Sequence, residues 1–346
     1  MKVAILCPTL LSYSGIDRVV EHQANSIALN GDEVSIFALK ANIMPSQNVK
    51  LHILGMPNNL LFERIYRLFF FVDFGKSNRW VQELRGFDCV YSHHYPMNWL
   101  AYLAKRRYGI KYIYYNHGYP PLKTFPNLVE RFYVYIISIF ANWTIKRADE
   151  VISVSQYLRR ELKKETSMDS IVIYNEIDTQ RFHPGIDGEK IRQKHHLNNY
   201  PLILFVGRIT PYKGVHLLIN AFTMVKQQIP EARLIIIGKH SLKNYSDKLK
   251  RMSDTSIIFE EDVLDKDMPL YYAACDVYAT ASLWEGFDLP MAEAQACGKP
   301  VVCFDIGPHL EVIKIGAAGV LVPESDTSAM AAAIISFLKV KSWAHL

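Results

Sequence analysis

Cysteine is scarce in this chain. Five residues (Cys7, Cys89, Cys275, Cys297 and Cys303) in 346 are too few and too scattered for a disulfide framework. Their spacing fits no zinc motif, which leaves reduced, mostly buried thiols and the expectation of a cytoplasmic protein. No apolar run reaches the ~20 residues that a membrane-spanning helix needs. The longest, Phe132–Ile145, is interrupted by Ser138 and Asn142 and reads as a buried core helix rather than a membrane-surface element. Met1–Leu6 lacks a charged leader followed by a long apolar core, so no signal peptide is expected and the sequons at Asn142 and Asn244 read as chance matches. Low-complexity tracts and short-period repeats are also missing. Charge of one sign is in small excess: the net charge is +5, with 21 Lys+Arg against 16 Asp+Glu up to Asp178 and 18 against 18 beyond it. That excess is too weak for a nucleic-acid binder, and no basic stripe with interleaved stacking aromatics supports one. A basic first half facing an anionic membrane or a phosphate-bearing substrate stays open. Pro8–Gly15 carries no G-x-G-x-x-G fingerprint, which argues against a dinucleotide-dependent dehydrogenase.

What the chain does have is alternation. Short β-branched, apolar runs occur at Lys2–Pro8, Glu33–Leu39, Lys50–Leu54, Asp88–Ser92, Lys111–Asn116 and Glu150–Ser153. A second set follows at Pro201–Val206, Arg233–Ile237, Ser256–Glu260, Asp276–Ala279, Pro300–Phe304 and Gly319–Val322. Helical patterns separate them, so the expected fold is α/β: two Rossmann-like, doubly wound domains of parallel strands. The charged stretch Asn175–Asn199 reads as the linker, which puts the domains at 1–183 and 184–346. Such domains bind ligands at the carboxyl ends of their strands, so a cleft between them is the expected site. The aromatic-rich segment Leu60–Val72, with Arg64 and Arg67, suits either a bilayer interface with snorkelling arginines or a helix lining that cleft.

Two segments carry the chemistry. In Phe205–Gly214 an apolar strand ends at Gly207, then Arg208, Lys213 and Gly214 follow before a helix. Glycines let the backbone approach a ligand, and two cations there favour phosphate over a merely solvated basic loop. In Trp284–Ala294 a loop leads into a helix whose first turn holds Pro290. Glu285 and Glu293 can then point into one pocket and accept hydrogen bonds from adjacent hydroxyls, as sugar or ribose recognition requires. Taken alone, Glu293 can equally serve the helix dipole and Glu285 the surface. The D-x-D at Asp265–Asp267 reads as structural, with Asp265 capping the helix Met268–Ala274, and no metal is expected.

Glu285-Gly286-Phe287-x-Leu289-Pro290-x-x-Glu293-Ala294 closely resembles the E-x7-E region of retaining GT-B glycosyltransferases of family 4 (glycosyl transferases group 1). Phe205–Arg208 with Lys213-Gly214 resembles the phosphate-binding segment of that family, and Asn175-x-x-Asp178-x-x-x-Phe182-x-Pro184 its interdomain linker. Val151–Ser155 and Gly307-Pro308-x-x-Glu311 resemble further segments in the family's order. The resemblance implies a cytoplasmic enzyme that moves a sugar from a nucleotide-sugar to a saccharide or lipid-linked acceptor with retention, without metal or cofactor. It implies that Arg208 and Lys213 neutralise the departing diphosphate, Glu285 contacts the transferred sugar and Glu293 the ribose. His117 matches a family histidine that approaches the donor sugar. Gly15, Gly207, Val263, Phe287, Asp288 and Leu289 complete the implied donor site, with 1–183 as the acceptor side, where Lys105–Arg107 and Tyr112–Tyr119 lie. The chain departs from the family at Ser14, where glycine is usual, at Glu176 in the linker, and after Lys339, where a crossover helix is expected and is short or missing. A nucleotide-sugar epimerase or phosphorylase of the same fold, or a silent nucleotide-sugar-binding subunit, are the alternative readings.

Overall fold

Residues 1–11, 15–125, 127–240, 242–316 and 319–343 are described by the computed structural model. Ser14, and the part of the segment after Lys339 that follows Trp343, fall outside them. The chain divides into two compact units, Met1–Asn175 and Glu176–Leu346.

The first unit is built on β1 (Lys2–Leu10), β2 (Glu33–Ala41), β3 (Val49–Ile53), β4 (Cys89–His93), β5 (Lys111–Asn116), β6 (Glu150–Ser153) and β7 (Ile171–Val172). They form one sheet in the order β3-β2-β1-β4-β5-β6-β7, with every pair parallel. Strands buried on both faces need near-continuous apolar sequence, and β1 supplies it. Its Val3 and Ile5 face one core layer with Ile36 and Val20, while Ala4 and Leu6 face the other with Phe37, Tyr112 and Tyr114. That split is the two-residue alternation of a strand expressed as two separate cores.

The second unit holds β8 (Leu202–Val206), β9 (Arg233–Ile237), β10 (Ile257–Glu260), β11 (Val277–Thr280), β12 (Val301–Phe304) and β13 (Gly319–Val322). These pair in the order β10-β9-β8-β11-β12-β13, again all parallel. Both units are therefore doubly wound α/β, as expected. The strand order reverses between β1 and β4 in the first unit and between β8 and β11 in the second. Those two points are where the connections leave in opposite directions and open a crevice at the strand ends.

All twelve expected strands are present, with ends shifted by at most two residues. Three local expectations change. The boundary placed after 183 falls within the second unit, because Phe182 is buried there with its ring 5.8 Å from that of Tyr272. Asp265 does not cap the helix Met268–Ala274. It opens a 3-10 turn, Asp265–Asp267, and its carboxylate pairs with Arg181 at 2.6 Å, leaving the cap position to Asp267. Finally, Phe132–Ile145 is not a fully buried helix. It belongs to a longer one, Leu128–Ile145, that buries Ile137, Ala141, Thr144 and Ile145 and exposes Leu128, Phe132, Tyr135 and Ile139.

Candidate functional site

At the reversal point of the second unit the backbone is drawn in tightly. β8 ends at Val206, and the chain passes through Gly207 and a 3-10 turn, Pro211–Lys213, into the helix Val215–Gln228. Gly214 joins turn and helix with φ +63°, and a Cβ there would lie 1.8 Å from the carbonyl oxygen of Ala281. Only glycine allows this approach. At Gly207 a Cβ would merely touch the Phe205 ring at 3.2 Å. The tight contact on that side belongs to Gly238, whose Cβ would meet the Gly207 carbonyl oxygen at 1.9 Å. The sequence reading singled out Gly207 and missed Gly238, which lies in a different loop.

This approach brings the two predicted segments together. Lys213 Nζ donates to Glu285 Oε1 at 2.5 Å, with both side chains almost wholly buried. Burial alone would lower the Lys213 pKa, but the carboxylates of Glu285 and Asp288 outweigh it and hold the ammonium above its ordinary value. Burial, helped by Asp288, pushes the Glu285 carboxyl upward against the pull of Lys213. Beside this pair, Leu283 N donates to the Tyr212 carbonyl at 2.7 Å and the rings of Tyr212 and Trp284 meet edge to face. Arg208 lies on the exposed rim and donates to Tyr212 Oη at 2.7 Å.

Asp288, expected in the donor site, is held by contacts within the second unit. It stands at the N-cap of the helix Leu289–Ala296 with φ 31°, and its Oδ1 accepts from the Met291 amide at 3.3 Å. Its Oδ2 lies 3.1 Å from His309 Nε2, while His309 Nδ1 lies 2.8 Å from the Phe304 carbonyl oxygen. A carbonyl and a carboxylate both accept, so the fully buried imidazole carries both protons. Burial opposes that charge, yet Asp288 raises the His309 pKa well above the ordinary value. Asp288 and His309 thus form a buried ion pair that fixes the turn.

Glu293 is buried on the same helix and accepts from Tyr272 Oη at 2.7 Å. Tyr278 on β11 lies among the acids. Burial first, then Asp288, Glu285 and Glu293, raise its phenol well above the ordinary value. Its hydroxyl donates to the Val206 carbonyl at 3.3 Å, which ties the acid cluster to the end of β8. Glu285, Asp288 and Glu293 therefore all act on this one phenol. Val263 is buried in the loop after β10.

Gly15 and His117 lie in the first unit. Gly15 opens the helix Gly15–Leu29, whose Asp17 is buried and accepts from Thr9 Oγ1 at 3.0 Å and the Leu11 amide at 2.8 Å. His117 follows β5 and is buried, with Nε2 2.8 Å from His93 Nδ1. His93 Nε2 in turn lies 2.9 Å from Gln23 Oε1. Burial depresses both imidazoles, His93 to about 3 and His117 well below the ordinary value, so both are neutral. With the Gln23 oxygen accepting the His93 Nε2 proton, His93 Nδ1 accepts from His117 Nε2, and His117 Nδ1 is left as an acceptor. His93, His309, Gln23 and Tyr272 were not singled out from sequence. Their roles depend on partners far along the chain.

The model of the family described as "Glycosyl transferases group 1" matches residues 187–344, and that of "Glycosyltransferase Family 4" matches residues 13–181. Among curated relatives, the GDP-mannose-dependent alpha-(1-6)-phosphatidylinositol monomannoside mannosyltransferase of Mycolicibacterium smegmatis is 27% identical over 202 residues, 54% of this chain and 52% of that protein. The chain thus spans about half the length of the first curated relatives it matches. Among solved structures, sucrose-phosphate synthase from Thermosynechococcus elongatus superposes with a TM-score of 0.81 at 19% identity, covering 99% of this chain and 91% of that one. Anabaena HepE in complex with UDP and glucose gives 0.78 at 21% identity with the same coverage. These likenesses establish the GT-B fold.

Proposed function

The chain belongs to the family 4, group 1 glycosyltransferases, and on that premise we propose that it transfers a sugar from a nucleotide-sugar donor to a saccharide or lipid-linked acceptor. The observation that carries the reading is the Lys213–Glu285 pair, set at the reversal point between β8 and β11 by the close approach at Gly214. An ammonium has three donors and Glu285 takes one, so Lys213 can hold a diphosphate while its partner keeps it in place. The Arg208 guanidinium offers a fork on the rim of the same loop. Glu285 and Glu293 present oxygens for hydroxyls of the sugar and the ribose, and the amides of Phe287 and Leu289 lie beside the helix start.

In the reaction the acceptor hydroxyl attacks the anomeric carbon as the bond to the diphosphate oxygen breaks. The hydroxyl proton passes to a phosphate oxygen, and the sugar keeps its configuration. Lys213 and Arg208 stabilise charge growing on the leaving group, the place where electrostatic preorganisation acts most strongly. His117, neutral and with Nδ1 an acceptor, can accept from a sugar hydroxyl. Ligand atoms of Glu285, Asp288 and His309 lie within 4.8 Å of one another, but Lys213 and the imidazolium already balance the two carboxylates. That balance favours metal-independent chemistry. UDP- and GDP-sugars should be offered with phospholipid and oligosaccharide acceptors, and the product anomer read by NMR. Lys213→Ala and Glu285→Ala are each expected to lower kcat/KM by about a hundredfold or more. Full activity in both variants would remove the site, and an inverted product would remove retention.

A further inference from the structure

Nothing in the packing around Asp288 and His309 calls for their charges. His309 is the first residue of the helix His309–Gly316. A cation at a helix N-terminus stands against the helix dipole, so this helix gains nothing from an imidazolium. Asp288 caps the helix Leu289–Ala296 through Oδ1, a task that a neutral asparagine or serine performs as well. The His309 and Asp288 side chains are 0% and 2% exposed, and at that depth an ion pair contributes little that apolar residues of the same volume do not. The ring is nevertheless held as a cation, because Nε2 faces a carboxylate and Nδ1 a carbonyl oxygen.

What the charges act on lies beside them. Side-chain oxygens of Glu285 and Asp288 and a His309 nitrogen lie within 4.8 Å of one another, and Lys213 donates to Glu285. Four almost wholly buried charges thus share one site, two of each sign. Burial pushes the Glu285 carboxyl up and Lys213 pulls it down. Asp288 then pushes it up again and His309 pulls it down. After burial and Glu285, Asp288 also acts on the Lys213 ammonium. Without its imidazolium, Asp288 would compete with a diphosphate for the donors of that ammonium. Two carboxylates would then face one cation, and one uncompensated buried charge near a phosphate lowers affinity by about tenfold or more. We propose, on the donor reading above, that His309 is a positioning residue for the nucleotide: as a fixed cation it occupies Asp288 and leaves Lys213 to the diphosphate.

Calorimetric titration of the full chain with a panel of nucleoside diphosphates tests this. His309→Gln offers Asp288 a neutral donor and should weaken binding by about tenfold or more. Asp288→Asn with His309→Gln removes both charges, keeps the cap and should return the Kd to within about threefold of the unmodified chain. If His309 served only by its shape, the double variant would bind no better than the single one. Nitrogen NMR shifts of the histidine-labelled unmodified chain, assigned by their loss in the double variant, should show His309 protonated at both ring nitrogens. Should the single variant fail to fold, the double variant still decides, since loss of binding there overturns the proposal. Undiminished binding by the single variant, no recovery in the double, or a neutral ring would also overturn it, with the donor reading intact. A chain that binds no nucleoside diphosphate at all would remove the donor reading as well.

Discussion

At the scale of single residues, three histidines are set in opposite senses by what surrounds them. Burial first, and then the neighbouring imidazoles, His94 among them, hold His93 and His117 below the ordinary value. The unfolded chain therefore takes up protons first as pH falls. Stability present above about pH 6.5 is lost on acidification at about 1.4 kcal/mol per pH unit for each histidine. His309 has the reverse sign. Its raised pKa contributes stability that is complete below about pH 6.5 and fades as pH rises toward the folded value. Urea unfolding across this range should show both flanks. His93→Phe should reduce the acid slope by about one proton, and His309→Gln should flatten the alkaline flank. An unchanged slope in either variant would contradict the corresponding assignment. Glu285 and Lys213 were legible in the sequence because they sit in runs that resemble a family. His309 also lies in such a run, yet its task depends on Asp288, 21 residues earlier, and Gln23 reaches His93 across 70. Periodicity carries no signal for pairings of that range.

At the scale of elements, β-branched runs announced nearly every strand, since burial on both faces leaves no polar interruption to blur them. β7 escaped because two residues, Ile171–Val172, are too short to show a pattern. The outward stripe of Leu128–Ile145 escaped for the opposite reason: hydropathy tells that a face is apolar and not whether anything covers it. Loop geometry was half legible, with Gly214 identified and Gly238 not. Gly214→Ala should destabilise the second unit by about 3 kcal/mol or more, because left-handed strain adds to a clash with backbone that cannot move aside. Gly86→Ala, at φ +94° with nothing within 4 Å, should cost only about 1–2 kcal/mol. Similar losses in the two variants, measured by chemical denaturation, would show that the approach to Ala281 is not what demands glycine.

At the scale of the whole molecule, both units follow one plan in which a parallel sheet reverses its order at a single point. If nucleotide diphosphate binds at the second of these, UDP or GDP at about a hundred times its Kd should stabilise that unit by about 2.7 kcal/mol. Hydrogen exchange should slow in the loops 207–214 and 281–289, and protection elsewhere alone would argue for a different site. The five free cysteines, all buried, have a consequence of another kind. Burial raises the thiol of Cys7 well above its ordinary value and that of Cys275 to about 12, so native thiolate is scarce. An alkylating reagent therefore reacts only when a unit opens. Cys7 and Cys89 time the first unit, while Cys275, Cys297 and Cys303 time the second. The mass of each modified peptide then turns the unaltered chain into two internal clocks that record separately how often each half comes apart.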